Sequence, residues 1–383
     1  MSAARIETIP LAGSFLGGRR EVAVFRYGTP GSRPKIYLQA ALHAGEMTGT
    51  MALHHLRRRL ESAELAGRIR GEIVVVPVAN PIGMGQFLAG DHFGRFETGS
   101  LCNFNREHFD VSEAVAARLE GLLGDDPEAN VATIRSVASA VIDEIEETDE
   151  WRSLRKHLLR LSIDADVCLD LHSDMSAVMF MYINGFDWPG LADLAADIGC
   201  EAVVHLTPYV PSKTFAGVVG ALWPRLAERF PVRPVPNACA TAMIEMRGRH
   251  ACSDGLGAAD ADGFVAFLTR RGAIAGEPPP LPPLKTQSID VEGMDVGYAP
   301  SPGFVTYERA AGDRVSPGDV VCHVIDPTTP EADGGRVAVC ARQEGVIYAR
   351  SLDGFVVTPG KVLFRIAGAE PLAHRRGRSW LDD

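Results

Sequence analysis

The sequence predicts an α/β domain followed by a small all-β domain, and three observations carry that reading. Apolar strand, amphipathic helix and apolar strand alternate over residues 21–78; a run of prolines interrupts the chain at residues 276–284; beyond it helical periodicity vanishes in favour of short β-like runs between Gly, Pro and Asp turns. The length of 383 residues suits two or three domains. With 46% hydrophobic and 23% charged residues, neither wholesale disorder nor a fibrous chain is credible.

The elements follow in order. Glu21–Tyr27 and Lys35–Ala41 read as strands joined by a Gly/Pro-rich turn. From Glu46 to about Leu65, Met47, Met51, Leu53, Leu56 and Leu60 recur every three to four residues, the spacing of an amphipathic helix, with Arg57, Arg58 and Arg59 exposed between them. Glu72–Val78 is apolar enough for a strand covered on both faces, and Asn80-Pro81-Ile82-Gly83 ends it. Residues 83–110 have the composition of a long functional loop. Helical periodicity resumes in Val111–Leu123 and Val131–Ile163, the second reading as a solvated amphipathic helix pair. Strands are expected at Asp166–Leu171, Val178–Ile183, Ala202–Leu206 and Ala240–Arg247, and helices at Pro189–Gly199 and Ala258–Arg271.

Five prolines in the nine residues Gly276–Leu284 favour a stiff extended connector, which places the domain boundary there. Gly303–Tyr307, Val320–Ile325, Arg336–Cys340, Gly345–Tyr348 and Lys361–Ile366 then suggest a small barrel or sandwich. Its turns resemble those of lipoyl-like carrier domains, but Lys361, the lysine it contains, is not in a modifiable hairpin, which speaks against a carrier role.

Composition excludes several functions. A net charge of −11 argues against a general nucleic-acid binder. No apolar stretch approaches the roughly 18–20 residues of a membrane span, and the amino terminus lacks the pattern of a secretory signal, so the cytoplasm is the expected location. Seven scattered cysteines without a CxxC pair suit neither a disulfide framework nor a thiolate zinc knuckle.

Chemistry is concentrated in four places. His43-Ala44-Gly45-Glu46 follows a strand, where two ligands three positions apart can converge on one ion; a surface His-Glu pair is the plainer alternative. Asp166–His172 is an apolar strand ending in a histidine, with Asp170 two residues earlier on the same face, placed to orient an imidazole that binds metal; a core histidine is the alternative. Together His43, Glu46 and His172 form a set that leaves a fourth position on Zn²⁺ open for water. Arg95 and Asn103-Phe104-Asn105-Arg106 lie in the long loop, where a guanidinium can hold a carboxylate or an oxyanion. Glu245 sits among apolar residues of a strand, costly to bury unless paired or used, and a zinc-water mechanism needs such a carboxylate for proton transfer. His54, His55, His92, His108 and His205 read as surface or packing residues, His108 being notable for its closeness to Arg106.

This ordered set, HxxE, then Asn103-Phe104-Asn105-Arg106, then a strand-ending histidine, then a strand glutamate, resembles the succinylglutamate desuccinylase/aspartoacylase family, relatives of the M14-type zinc carboxypeptidases. The likeness covers about residues 20–270, includes the 126-residue gap between Glu46 and His172, and extends to the trailing β domain. It implies a mixed-sheet, zinc carboxypeptidase-like catalytic domain over 1–275, a linker over 276–287 and a carboxy-terminal β domain with a short tail over 288–383. It further implies one Zn²⁺ per chain on His43, Glu46 and His172, substrate carboxylate on Asn105 and Arg106, Glu245 as general base and Arg95 facing the oxyanion. Ala44 and Gly45 between the ligands, and Met246-Arg247 after the base, differ from the forms of aspartoacylase itself.

The activity so implied is zinc-dependent removal of the acyl group from an N-acyl amino acid or a similar small carboxylate-bearing amide, with the β domain restricting access. Two other readings stand beside it: a metallocarboxypeptidase acting on short peptides, which an open cleft would favour, and a non-catalytic metal- or ligand-binding protein, which would not need Glu245. The expected partner is a small molecule, with no nucleic acid and no membrane. The charged stretch Glu107–Ser162 would either cover the site or form a homo-oligomer contact.

Overall fold

The computed structural model describes residues 4–13, 15–206, 213–330 and 335–376, and the chain divides into two compact units that do not follow chain order. The first comprises Met1–His172, Pro211–Met243 and Ser253–Leu281; the second comprises Ser173–Val210, Ile244–Cys252 and Pro282–Asp383.

The first unit contains β1 (Arg5–Pro10), β2 (Glu21–Tyr27), β3 (Lys35–Ala40), α1 (Thr48–Leu65), β4 (Glu72–Val76), α2 (Pro81–Met84), the short hairpin β5 (Phe87–Leu88) and β6 (Asp91–His92), α3 (Ser112–Leu119), α4 (Pro127–Asp143), α5 (Glu150–Ser162) and β7 (Val167–Asp174), the last as far as His172. Its sheet runs β1-β2-β4-β3-β7. β1 and β2 are antiparallel to their neighbours, whereas β4, β3 and β7 are parallel. β3 and β4 are buried along their whole length and β7 in all but its last residue, which explains why their sequences run apolar without alternation. Gln39 and Asp170 interrupt those apolar runs, and the register of β3 against β7 makes them partners.

α1 lies close on these strands through Gly49. A Cβ there would fall 2.7 Å from the Cβ of Leu171 and 3.1 Å from that of Ala40, so the absence of a side chain sets the helix-to-sheet distance beside His172. The segment expected as a helix pair is α4 and α5, capped by Asp126 and Asp149 respectively. Their stripe of Ile134, Ala138, Val141, Leu154 and Leu158 joins Val76, Phe104, Phe215 and Trp223 in one apolar core, while Arg160 reaches Asp143 on the solvent side. The pair is thus amphipathic as expected, its apolar stripe in the core and its charged face towards solvent.

Several elements have no counterpart in the sequence reading: β1, the helix Phe215–Arg229, and the strands Ser288–Asp290 and Met294–Tyr298. β1 is almost wholly exposed and carries Arg5, Glu7 and Pro10, the marks of a protected edge strand rather than of a buried one. Phe215–Arg229 contains Gly217, Gly220 and Pro224, poor helix formers that weaken its helical signal in the sequence. β7 continues to Asp174, so His172 lies within a strand and not at its end.

In the second unit, Met179–Asn184, Ala202–Leu206 and Ser288–Asp290 pair in parallel. The chain enters this unit for the last time at Pro282, inside the proline-rich run. Beyond it lie two antiparallel sheets, one built on Met294–Tyr298, Val362–Ala367 and Gly345–Arg350, the other on Arg336–Cys340, Val320–Ile325 and Gly303–Tyr307. Val305, Val321 and Val324 from one meet Ile347, Leu363 and Phe364 from the other in a common core. All seven cysteines are free, and among the described residues no helix is long and apolar enough to cross a membrane.

Gly49→Val should lower stability by about 1–3 kcal/mol, the usual cost of forcing extra carbons into a packed interior, read as a lower urea midpoint. An unchanged midpoint would mean that α1 has room to move off Leu171.

Candidate metal centre

The site is assembled where β3 leaves the sheet. Ala41 takes φ +56°, which turns the chain sharply after the last strand residue. The turn is then pinned by Asn80 Nδ2 on the Leu42 carbonyl at 2.9 Å, by Ala44 N–H on the Gly94 carbonyl at 2.8 Å and by Glu46 N–H on the His43 carbonyl at 3.0 Å. β7 lies beside β3 with Gln39 opposite Asp170 and Ala40 opposite Leu171. The next residue, His172, is thereby brought to the turn that carries His43 and Glu46.

The two imidazoles share one carboxylate. His43 Nδ1 lies 3.2 Å from Glu46 Oε1 and His172 Nδ1 lies 2.9 Å from Glu46 Oε2, with the rings 5.0 Å apart between centroids. One donor atom from each of the three residues lies within 4.8 Å of the others, and all three side chains are buried. The outer ring nitrogens are committed elsewhere: His172 Nε2 faces Asp170 Oδ2 at 2.9 Å and His43 Nε2 faces Asn103 Oδ1 at 2.7 Å. With Nε2 of each ring facing an outer acceptor, both Nδ1 atoms face the Glu46 carboxylate, and the neutral Nε2–H tautomers would leave both Nδ1 lone pairs for one ion.

Asp170 is itself held. Gln39 Nε2 donates to Asp170 Oδ1 at 2.8 Å, and the Tyr37 hydroxyl donates to Gln39 Oε1 at 2.8 Å, which fixes the amide's orientation. Tyr37, Gln39 and Asp170 are all fully buried. The result is a line of buried polar groups from Tyr37 to Glu46.

The electrostatics favour a cation. Burial alone would raise the pKa of Glu46, but His43 and His172 hold it well below the carboxylate range. Burial pulls His43 below its ordinary value, with Glu46 opposing. Burial also opposes charge on His172, yet Asp170 and Glu46 on either side push it well above the usual range. Two buried carboxylates thus demand positive charge between them. Two imidazole nitrogens and a carboxylate are a donor set that could hold a divalent transition ion.

Of the loop residues, Arg95 reaches the same cluster, its guanidinium 2.9 Å from Glu46 Oε1 and 3.3 Å from His43 Nδ1. Arg106 is half-buried, and burial together with the neighbouring Arg95 guanidinium lowers its pKa, so two cationic groups stand close together. Asn105 is buried: its Oδ1 accepts from Phe215 N–H at 2.8 Å and its Nδ2 lies 3.2 Å from His172 Nε2. Glu245 is on the strand Ala240–Gly248, half-buried, in the part of that strand belonging to the second unit.

Sequence reasoning missed Asn103, Gln39 and Tyr37. The signal for Asn103 was its place in a motif already singled out, two residues before Asn105; the signal for Gln39 was an amide in an otherwise apolar strand. His108 proves to be a packing residue. Its Nε2 contacts the Phe104 carbonyl at 3.2 Å, its ring meets Phe215 edge-on, and burial followed by the Arg155 charge lowers its pKa to about 3. α5 holds the same loop from outside, with Trp151 against Phe104 and Arg155 on the Glu107 carbonyl.

Residues 32–222 match the succinylglutamate desuccinylase/aspartoacylase catalytic domain. No curated protein matches the chain. Among solved structures, a Shewanella amazonensis protein described as of the succinylglutamate desuccinylase/aspartoacylase family superposes with a TM-score of 0.81 at 20% identity, over 95% of this chain and 98% of that one. A Shewanella frigidimarina protein assigned to succinylglutamate desuccinylase/aspartoacylase gives 0.83 at 20%, over 97% and 100%. The product-bound ectoine utilization protein EutE (DoeB) of Ruegeria pomeroyi gives 0.65 at 15%, over 96% and 95%. At these identities the likeness is one of fold.

Asn103→Leu and Gln39→Leu should each weaken zinc binding by about 10–100-fold, the usual effect of removing an outer partner of a ligand, measured by competition with a chromophoric chelator. Unchanged affinity in both would show that the imidazoles need no such support. His108 gives a pH test. Its folded pKa of about 3 lies below the unfolded value of about 6.5, so the stability it supports is complete above that value and lost as pH falls towards 3. In His108→Leu the acid loss of stability should be shallower, by up to about 1.4 kcal/mol per pH unit in that window; parallel curves would show His108 to be charged in the folded protein.

Proposed function

Because this chain belongs to the succinylglutamate desuccinylase/aspartoacylase family, a deacylase kind, we propose that it is a zinc-dependent amidohydrolase that removes the acyl group from an N-acyl amino acid or a similar small carboxylate-bearing amide. The observation that supports this most is the buried His43-Glu46-His172 group with the paired guanidiniums of Arg95 and Arg106 in the loop beside it. The metal site is built for a Lewis acid, and the arginines suit an anionic substrate. The same reading makes the catalytic domain zinc carboxypeptidase-like and places the protein in the cytoplasm, where its free thiols are at home.

Bound by His43, Glu46 and His172, zinc would polarise the scissile carbonyl and make water a stronger acid. Glu245 takes the proton of the attacking water and delivers it to the departing amine, leaving a free carboxylate and a free amino acid. Arg95 supplies positive charge to the oxygen that becomes negative as the carbonyl turns tetrahedral. Arg106 and Asn105 are assigned to the substrate carboxylate: the guanidinium offers two parallel N–H bonds, and the Asn105 side chain, held by Phe215 N–H, fixes the loop from which Arg106 extends. Asp170 keeps His172 in the tautomer that binds metal.

Amine release from a panel of N-acyl amino acids and short peptides tests this directly. Acyl-amino-acid cleavage is expected, with Glu245→Gln keeping its metal and losing about 10²–10⁴-fold in kcat, and Arg106→Gln raising KM. Cleavage of peptides alone would replace the deacylase by a carboxypeptidase, and near-normal turnover in Glu245→Gln would remove Glu245 from proton transfer.

A further inference from the structure

The Arg57-Arg58-Arg59 run on α1 has no part in the metal centre, and the structure gives its three residues different surroundings. Arg57 lies over the Phe25 ring. Arg59 is fully engaged: its Nε donates to Asp262 Oδ1 at 2.5 Å, its NH1 to the His55 carbonyl at 3.2 Å and its NH2 to the Ala258 carbonyl at 2.9 Å, tying α1 to the helix Asp254–Arg270. Arg58 instead opens onto a cleft of about 540 Å³ between these helices. Arg68, from the loop after α1, lines the same cleft, with Ile274 supplying an apolar wall.

Arg58 and Arg68 are exposed, and among the described residues neither guanidinium has a hydrogen-bond or ion-pair partner. His55 is buried and committed to Asp254 at 3.0 Å. The charged lining is therefore three guanidiniums against the single carboxylate of Asp262, on a chain whose net charge is −11. A cleft of this volume is the size of a small-molecule site. Its charge surplus of two matches a compact dianion, and Arg58 and Arg68 have their bidentate donor edges available. Arg59 forms a floor that is already ordered, so binding there would not have to immobilise it.

We propose that this cleft between α1 and the helix Asp254–Arg270 is a second ligand site, separate from the metal centre, that takes a small dianion through Arg58 and Arg68. A phosphate monoester and a short dicarboxylate share that chemistry. Isothermal titration of the zinc-loaded full chain with inorganic phosphate and, separately, with malonate distinguishes the two sources. Each of Arg58→Gln and Arg68→Gln should weaken binding at least about tenfold, the worth of a charge-assisted hydrogen bond, and the double variant should abolish it, while its basal hydrolytic rate and unfolding temperature stay those of the parent. Binding of phosphate alone would assign a phosphoryl ligand, and binding of malonate alone a dicarboxylate. Equal binding by parent and double variant, loss only in Arg106→Gln, or no binding up to about 10 mM would each overturn the proposal.

Discussion

Everything at the site depends on the Glu46 carboxylate being shared between two imidazoles. Each of its oxygens meets a different histidine, His43 three residues before it and His172 far along the chain. Buried without them, the carboxylate would be very costly. Paired with them, and with Asp170 on the far side of His172, it makes a buried negative site that calls for positive charge. Arg95, on the surface side, supplies one such charge at Glu46 Oε1, and the same three residues could hold a metal ion.

The fold supplies the precision that this sharing needs. β3 and β7 are parallel neighbours, so a turn at the end of one and a residue near the end of the other arrive at the same level of the sheet. Gln39 and Asp170, opposite one another in the register, convert strand pairing into imidazole orientation. Gly49 lets α1 close over Leu171 and Ala40, and α5 presses Trp151 on Phe104 to steady the loop whose Asn103 holds His43. The charged helical stretch thus reaches the site through packing as well as through charge.

The grouping of His43, Glu46 and His172 was legible in the sequence because His43 and Glu46 follow an apolar run at a spacing that fits one ion, and Asp170 and His172 share a strand face. The strands that bury on both sides, β3, β4 and β7, were legible for the same reason: continuous apolar runs have few other homes. What escaped was set by tertiary context. Asn103 looks like any loop amide until the fold brings it 2.7 Å from His43 Nε2. The helix Phe215–Arg229 carries Gly217, Gly220 and Pro224, which hide its helical character, and β1 is too exposed to show an apolar stripe. His172 reads as ending its strand because the residues after it are polar, yet β7 runs on to Asp174.

X-ray absorption at the zinc edge, on the purified full chain and on His172→Ala, tests the shared centre most directly. One zinc per chain is expected, with two imidazole nitrogens at about 2.0–2.1 Å and the remaining ligands oxygen, and with one imidazole lost in the variant. A chain that binds no zinc, or an unaltered scattering pattern in His172→Ala, would contradict the joining of His43, Glu46 and His172 in a single metal site.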